Sequence, residues 1–110
     1  MIVCISTYVR ALTDEDEPLL REHFAFMDQQ YREGRLIASG PRVPRCGGVI
    51  IARGADLAAV ERLLAYEPLA RERLATYALF AFRATRGASR ELCEASFEDA
   101  VPIQADRCAS

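Results

Sequence analysis

His23 is the only histidine in the chain. Imidazole gives and takes a proton near neutral pH without help from a metal, so this residue is the natural candidate for a general base or acid. Leu20, Phe24, Met27 and Tyr31 recur around it at helical spacing and form one apolar stripe. His23 sits at the margin of that stripe, where a side chain can reach a cavity at the helix edge. The plainer role is an imidazole that fills the margin and bonds a backbone carbonyl; the residues taken alone favour it. Ser39-Gly40-Pro41 reads as a turn whose glycine lets a ligand approach backbone amides. Arg42 and Arg45, at the tip of the following connection, can clamp a carboxylate by paired hydrogen bonds, or simply be solvated. Tyr8 and Tyr77, on what read as outer strands, can offer hydroxyls to a ligand or serve as core. Cys46, beside Gly47 and Gly48, reads as the most accessible cysteine, but no neighbouring base activates it.

Composition removes several classes of chemistry. All fourteen basic residues are arginine, which excludes a lysine Schiff base. Cys4, Cys46, Cys93 and Cys108 are scattered with no C-x-x-C pair, so a zinc site is not expected. A net charge of −2 gives no case for nucleic acid. No apolar run approaches the ~20 residues of a membrane span. The first residues, Met1-Ile2-Val3-Cys4-Ile5, read as a strand and not as a signal peptide. The expectation is a cytoplasmic protein with free thiols, two disulfides being the alternative if it is exported.

The positioning elements follow from pattern. Ile2 to Val9 is a strand apolar on both faces. Asp14-Glu15-Asp16-Glu17 ahead of Pro18 suits a helix N-terminus, and Gly34 suits its end. Arg35 to Ser39 and Val49 to Ala52 are short strands. Asp56 caps a second amphipathic helix with Leu57, Val60, Leu63 and Leu64 on one side, and Glu67-Pro68 interrupts it. A short helical piece follows over Leu69 to Arg73, and Leu74 to Arg83 is the last strand. The order βαββαβ is the α+β, ferredoxin-like arrangement: a four-stranded antiparallel sheet with two helices on one face. The bare face still carries Val, Ile, Leu and Phe, so a second copy should cover it in a homodimer. Residues 1–86 form this domain, and 87–110 form an extension with a short helix over Ser89 to Phe97 and an arm at Val101-Pro102-Ile103.

Three blocks carry a resemblance. They are Arg21-Glu22-His23-Phe24-Ala25, then Gly34-Arg35-Leu36-Ile37-Ala38-Ser39-Gly40-Pro41, then Pro44-Arg45-Cys46-Gly47-Gly48-Val49-Ile50, with Glu67-Pro68 after the second helix. In this order they resemble the YciI-like (YCII-related) proteins of the dimeric α+β barrel superfamily, from about Met1 to Arg83. The resemblance implies a site made of a first-helix histidine, here His23, and a carboxylate ahead of the proline. Glu67 holds that place where the family usually has aspartate. It would orient the imidazole and hold charge on it, or else stand in solvent as an ordinary turn glutamate. Relatives include isomerases and dechlorinating lyases acting on small ring compounds. The implied function is a cofactor-independent lyase or isomerase in which His23 moves a proton, Glu67 orients it, and Tyr8 with Ser39, Gly40, Pro41, Arg42 and Arg45 bind substrate. The alternative is a protein that binds a small metabolite without turning it over. Haem or oxygen chemistry, known in other dimeric α+β barrels, would require His23 as iron ligand and is the weaker reading.

Overall fold

The computed structural model describes residues 1–94. The arm at Val101-Pro102-Ile103, Cys108 and the last three residues, 95–97, of the helix expected from Ser89 lie outside the described residues. Four strands, β1 (Ile2–Tyr8), β2 (Leu36–Pro41), β3 (Gly48–Ala52) and β4 (Ala75–Ala81), form one sheet in the order β2-β3-β1-β4. All three pairings are antiparallel. Helices α1 (Glu17–Arg32), α2 (Leu57–Leu64) and the single turn α3 (Pro68–Arg71) complete the ferredoxin-like α+β fold.

The start of α1 is fixed by its acidic approach. Asp14–Asp16 make one tight turn, and the Asp16 carboxylate accepts two bonds from the Arg10 guanidinium (2.8 and 2.9 Å) and one from Thr13 N–H (2.8 Å). Arg10 and that amide hold the Asp16 carboxyl well below the usual carboxylate range. At the other end Gly34 takes φ +73, a left-handed turn that a side chain would resist, and Arg35 N–H closes on the Gln30 carbonyl (3.0 Å).

Strand alternation sorts the core. Ile2 and Cys4 face the helices and pack with Met27, Leu36, Ile50, Ala52 and Leu64. The opposite face presents half-buried Val3, Ile5, Val49 and Ile51 to solvent, with Phe80 at 57% and Phe82 at 47% exposure along its edge.

Three expectations are corrected. Ser39-Gly40-Pro41 is not a turn: it is the end of β2, with Ser39 opposite Ile50, Gly40 opposite Val49 and Pro41 opposite Gly48. β2 is an edge strand, where a proline's missing N–H costs the ladder least. Tyr8 lies on β1, an inner strand, and only Tyr77 is on an outer one. Of the three cysteines described, all free, Cys93 is exposed and Cys46 only half-buried. In the extension, only Arg90–Leu92 forms a helical turn among the described residues.

Candidate active site

Glu67 precedes a proline, and that fact builds the centre of the site. The residue before proline is pushed out of helical geometry, and Glu67 takes φ −63, ψ 130. Pro68 then begins α3, and the Glu67 side chain folds back as its N-cap. Oε1 accepts from Leu69 N–H (3.1 Å) and Oε2 from Ala70 N–H (3.1 Å). The Tyr77 hydroxyl, rising from β4, donates to Oε2 (3.1 Å). From α1, His23 Nδ1 closes on Oε1. The carboxylate is fully buried, yet its two oxygens meet four donors.

Those donors decide its charge. Burial alone would raise the Glu67 pKa; the bonds from His23, Leu69 and Ala70 outweigh burial and hold it below the ordinary value. Tyr77 is pushed the other way, by burial first and by the Glu67 charge second, so it stays a phenol and a donor. An ionised carboxylate cannot donate, so the proton between it and the imidazole belongs to Nδ1. In the neutral ring, Nε2 is then left with the lone pair. No hydrogen bond or ion pair engages Nε2 among the described residues.

His23 lines a cavity of about 430 Å³ between α1 and the sheet. Tyr8, Ser39, Gly40, Pro41, Arg45 and Tyr77 also border it. Tyr8 and Tyr77 therefore face the helices, not the bare side of the sheet. Arg42 is not brought to the cavity; its guanidinium donates to Thr7 Oγ1 (3.0 Å) and the Ser6 carbonyl (3.4 Å). The connection carrying Arg45 is pinned against β1. Tyr8 N–H donates to the Cys46 carbonyl (2.8 Å), and a methyl group on Gly47 would lie 1.8 Å from the Ser6 carbonyl oxygen. Only glycine fits there.

Several lining residues escape a reading by sequence. Ser6, on the helix side of β1, accepts from Gly48 N–H (2.8 Å) at the cavity wall. Tyr31, which reads as one more apolar stripe position, pairs its hydroxyl with Ser39 Oγ (2.7 Å). Tyr77 supports the carboxylate, a role visible only once β4 is registered beside β1, where Tyr77 stands opposite Ser6.

A model of the YCII-related domain matches residues 1–83. The chain belongs to the YCII-related family. No curated protein matches this YCII-related chain by sequence. Among solved structures it is similar to 5-chloro-2-hydroxyhydroquinone dehydrochlorinase (TftG) from Burkholderia phenoliruptrix AC1100, in complex with 2,5-dihydroxybenzoquinone. The two share 13% identity at a TM-score of 0.61, over 76% of this chain and 95% of the other. At that identity the likeness shows the fold alone and leaves the chemistry to the residues. No helix among the described residues is long and apolar enough to cross a membrane.

Proposed function

We propose that the cavity is the active site of a cofactor-independent enzyme of lyase or isomerase type, acting on a small ring compound. The observation that carries this reading is the buried, four-donor Glu67 carboxylate on His23 Nδ1, which leaves Nε2 as the basic nitrogen beside the cavity. Nε2 takes a proton from a carbon next to a carbonyl, or from a ring hydroxyl. The negative charge on Glu67 stabilises the imidazolium that forms. The electron pair released on the substrate then either expels a leaving group or shifts a double bond, after which the imidazolium returns its proton to product or solvent. Arg45 offers a guanidinium to developing negative charge, and Ser39, Tyr8 and the strand end Gly40-Pro41 shape the binding wall.

The solved relative named as a dehydrochlorinase holds a dihydroxybenzoquinone. That supports elimination on a hydroxylated ring as the first reaction to try. The apolar sheet face supports a homodimer, and the free thiols of the three cysteines among the described residues suit the reducing conditions of the cytoplasm.

The test is turnover of a panel of chlorinated and hydroxylated hydroquinones, with oligomeric state recorded alongside. His23→Ala, correctly assembled, should lose roughly a hundred- to ten-thousand-fold in kcat. Undiminished turnover in that variant would refute the proposal. A panel member that binds saturably but is recovered unchanged would point instead to a metabolite-binding protein.

A further inference from the structure

A second cavity opens on the helix side of the sheet, and the proton chemistry makes no use of it. α1 packs chiefly on α3, and α2 chiefly on β4. The two longer helices thus leave a cleft of about 660 Å³ between them, within the size range of small-molecule sites. Cys4, Leu36, Ile50 and Ala52 form an apolar floor, and Val60 and Leu63 line the α2 side. Burial pushes the Cys4 thiol up to about 11, so the floor carries no charge.

The polar groups at this cleft are unequal. Gln30 Oε1 accepts from Arg35 Nη1 (3.0 Å), and Arg35 also pairs with Glu33. The Asp56 carboxylate caps α2 by accepting from Ala59 N–H (3.0 Å). Arg53 and Arg62 make no side-chain hydrogen bond or ion pair among the described residues, yet both line the cleft. With Arg35 neutralised by Glu33, these two guanidiniums set against Asp56 leave one positive charge at the opening. An apolar floor beneath a single surplus positive charge fits a monoanion with an apolar body.

We propose that the cleft between α1 and α2 binds an amphipathic carboxylic acid, its chain or ring on the Cys4–Ile50 floor and its carboxylate at the rim under Arg53 and Arg62. The site is separate from the His23 cavity and stands whether or not that cavity turns over a substrate.

The experiment is calorimetric titration of the full-length protein with decanoate below its micelle concentration. Decanol supplies the same chain without charge, and acetate supplies the charge without the chain. One decanoate should bind per chain; decanol should bind at least tenfold more weakly, and acetate should not register. R53A/R62A, an exchange of two exposed side chains, should weaken decanoate at least tenfold. A59W should abolish binding by filling the cleft, and H23A should leave it unchanged. Absence of saturable decanoate binding would overturn the proposal, as would equal affinity in R53A/R62A. Loss of binding in H23A with retention in A59W would place the ligand in the other cavity and also overturn it.

Discussion

Four donors converge on the Glu67 carboxylate, and two of them are backbone N–H groups that cannot reverse their role. In Glu67→Gln, an amide NH2 must face either Leu69 N–H or Ala70 N–H, whichever way it is turned. The variant should lose about 2 kcal/mol of unfolding free energy, the worth of a charge-assisted bond, and its kcat should fall more than its KM changes. Chemical denaturation and steady-state kinetics would measure the two separately. The charge also sets a pH dependence. The folded-state pKa of Glu67 lies below its unfolded value, so its contribution is complete above the ordinary glutamate value of ~4.3 and is lost as pH falls through the depressed one. Denaturation midpoints of the wild type should drop as pH is lowered below ~4.3, and this drop should be smaller in Glu67→Gln. His23 stood out in the sequence as the single histidine, and Glu67 through the YCII-related pattern, since Glu17 is also a carboxylate ahead of a proline. The four-donor cage did not, because Tyr77 joins it through strand register and Leu69 and Ala70 through backbone that every residue possesses.

The short helix α3 and the connection after β2 hold those side chains in place. Arg73, at the exit of α3, takes φ +60, and Leu74 N–H closes on the Leu69 carbonyl (2.8 Å). A left-handed arginine costs about 1–2 kcal/mol relative to glycine in that conformation. After glycine's greater loss of chain entropy, Arg73→Gly should gain roughly 0.5–1 kcal/mol by thermal or denaturant unfolding. Gly47→Ala should act the other way, since its methyl would meet backbone and not a movable side chain. A loss of about 1–3 kcal/mol is expected there, with turnover impaired because Arg45 rides on the same connection. The strand at Ser39-Gly40-Pro41 shows why local reading failed at this element. Gly-Pro is turn chemistry in isolation; the pairing with Gly48 to Ile50 that makes it a strand comes from residues seven to eleven positions away. The same extension carries Arg42 away from the cavity, to Thr7.

Across the molecule, β1 was legible as a strand buried on both sides because both of its faces are apolar, and the order βαββαβ leaves one side of the sheet without helices. Which side would hold the cavity was not legible. Tyr8 and Tyr77, open in the sequence to a ligand-facing or a core reading, turn toward α1, since the even-numbered positions of β1 are the helix-facing ones and Tyr77 stands opposite Ser6. The uncovered face, with Phe80 and Phe82 at its edge, is where the proposed homodimer must form. Each phenylalanine buried there contributes roughly 1.5–3 kcal/mol. Phe80→Glu with Phe82→Glu should therefore convert a dimer into monomers by sedimentation velocity while the helical circular dichroism persists. An unchanged sedimentation coefficient would move the interface elsewhere.

One group thus serves two masters: the carboxylate that aims the imidazole is also the one on which α3 begins. On the proposed mechanism, heat tolerance and turnover are tied together at position 67, so natural or selected variants that drop the acid there should come out both fragile and inert. Heat-sensitive mutants that map to position 67 should also be catalytically silent. Restoring firmness elsewhere, for instance at Arg73, would then recover a sturdy fold that still cannot turn over substrate.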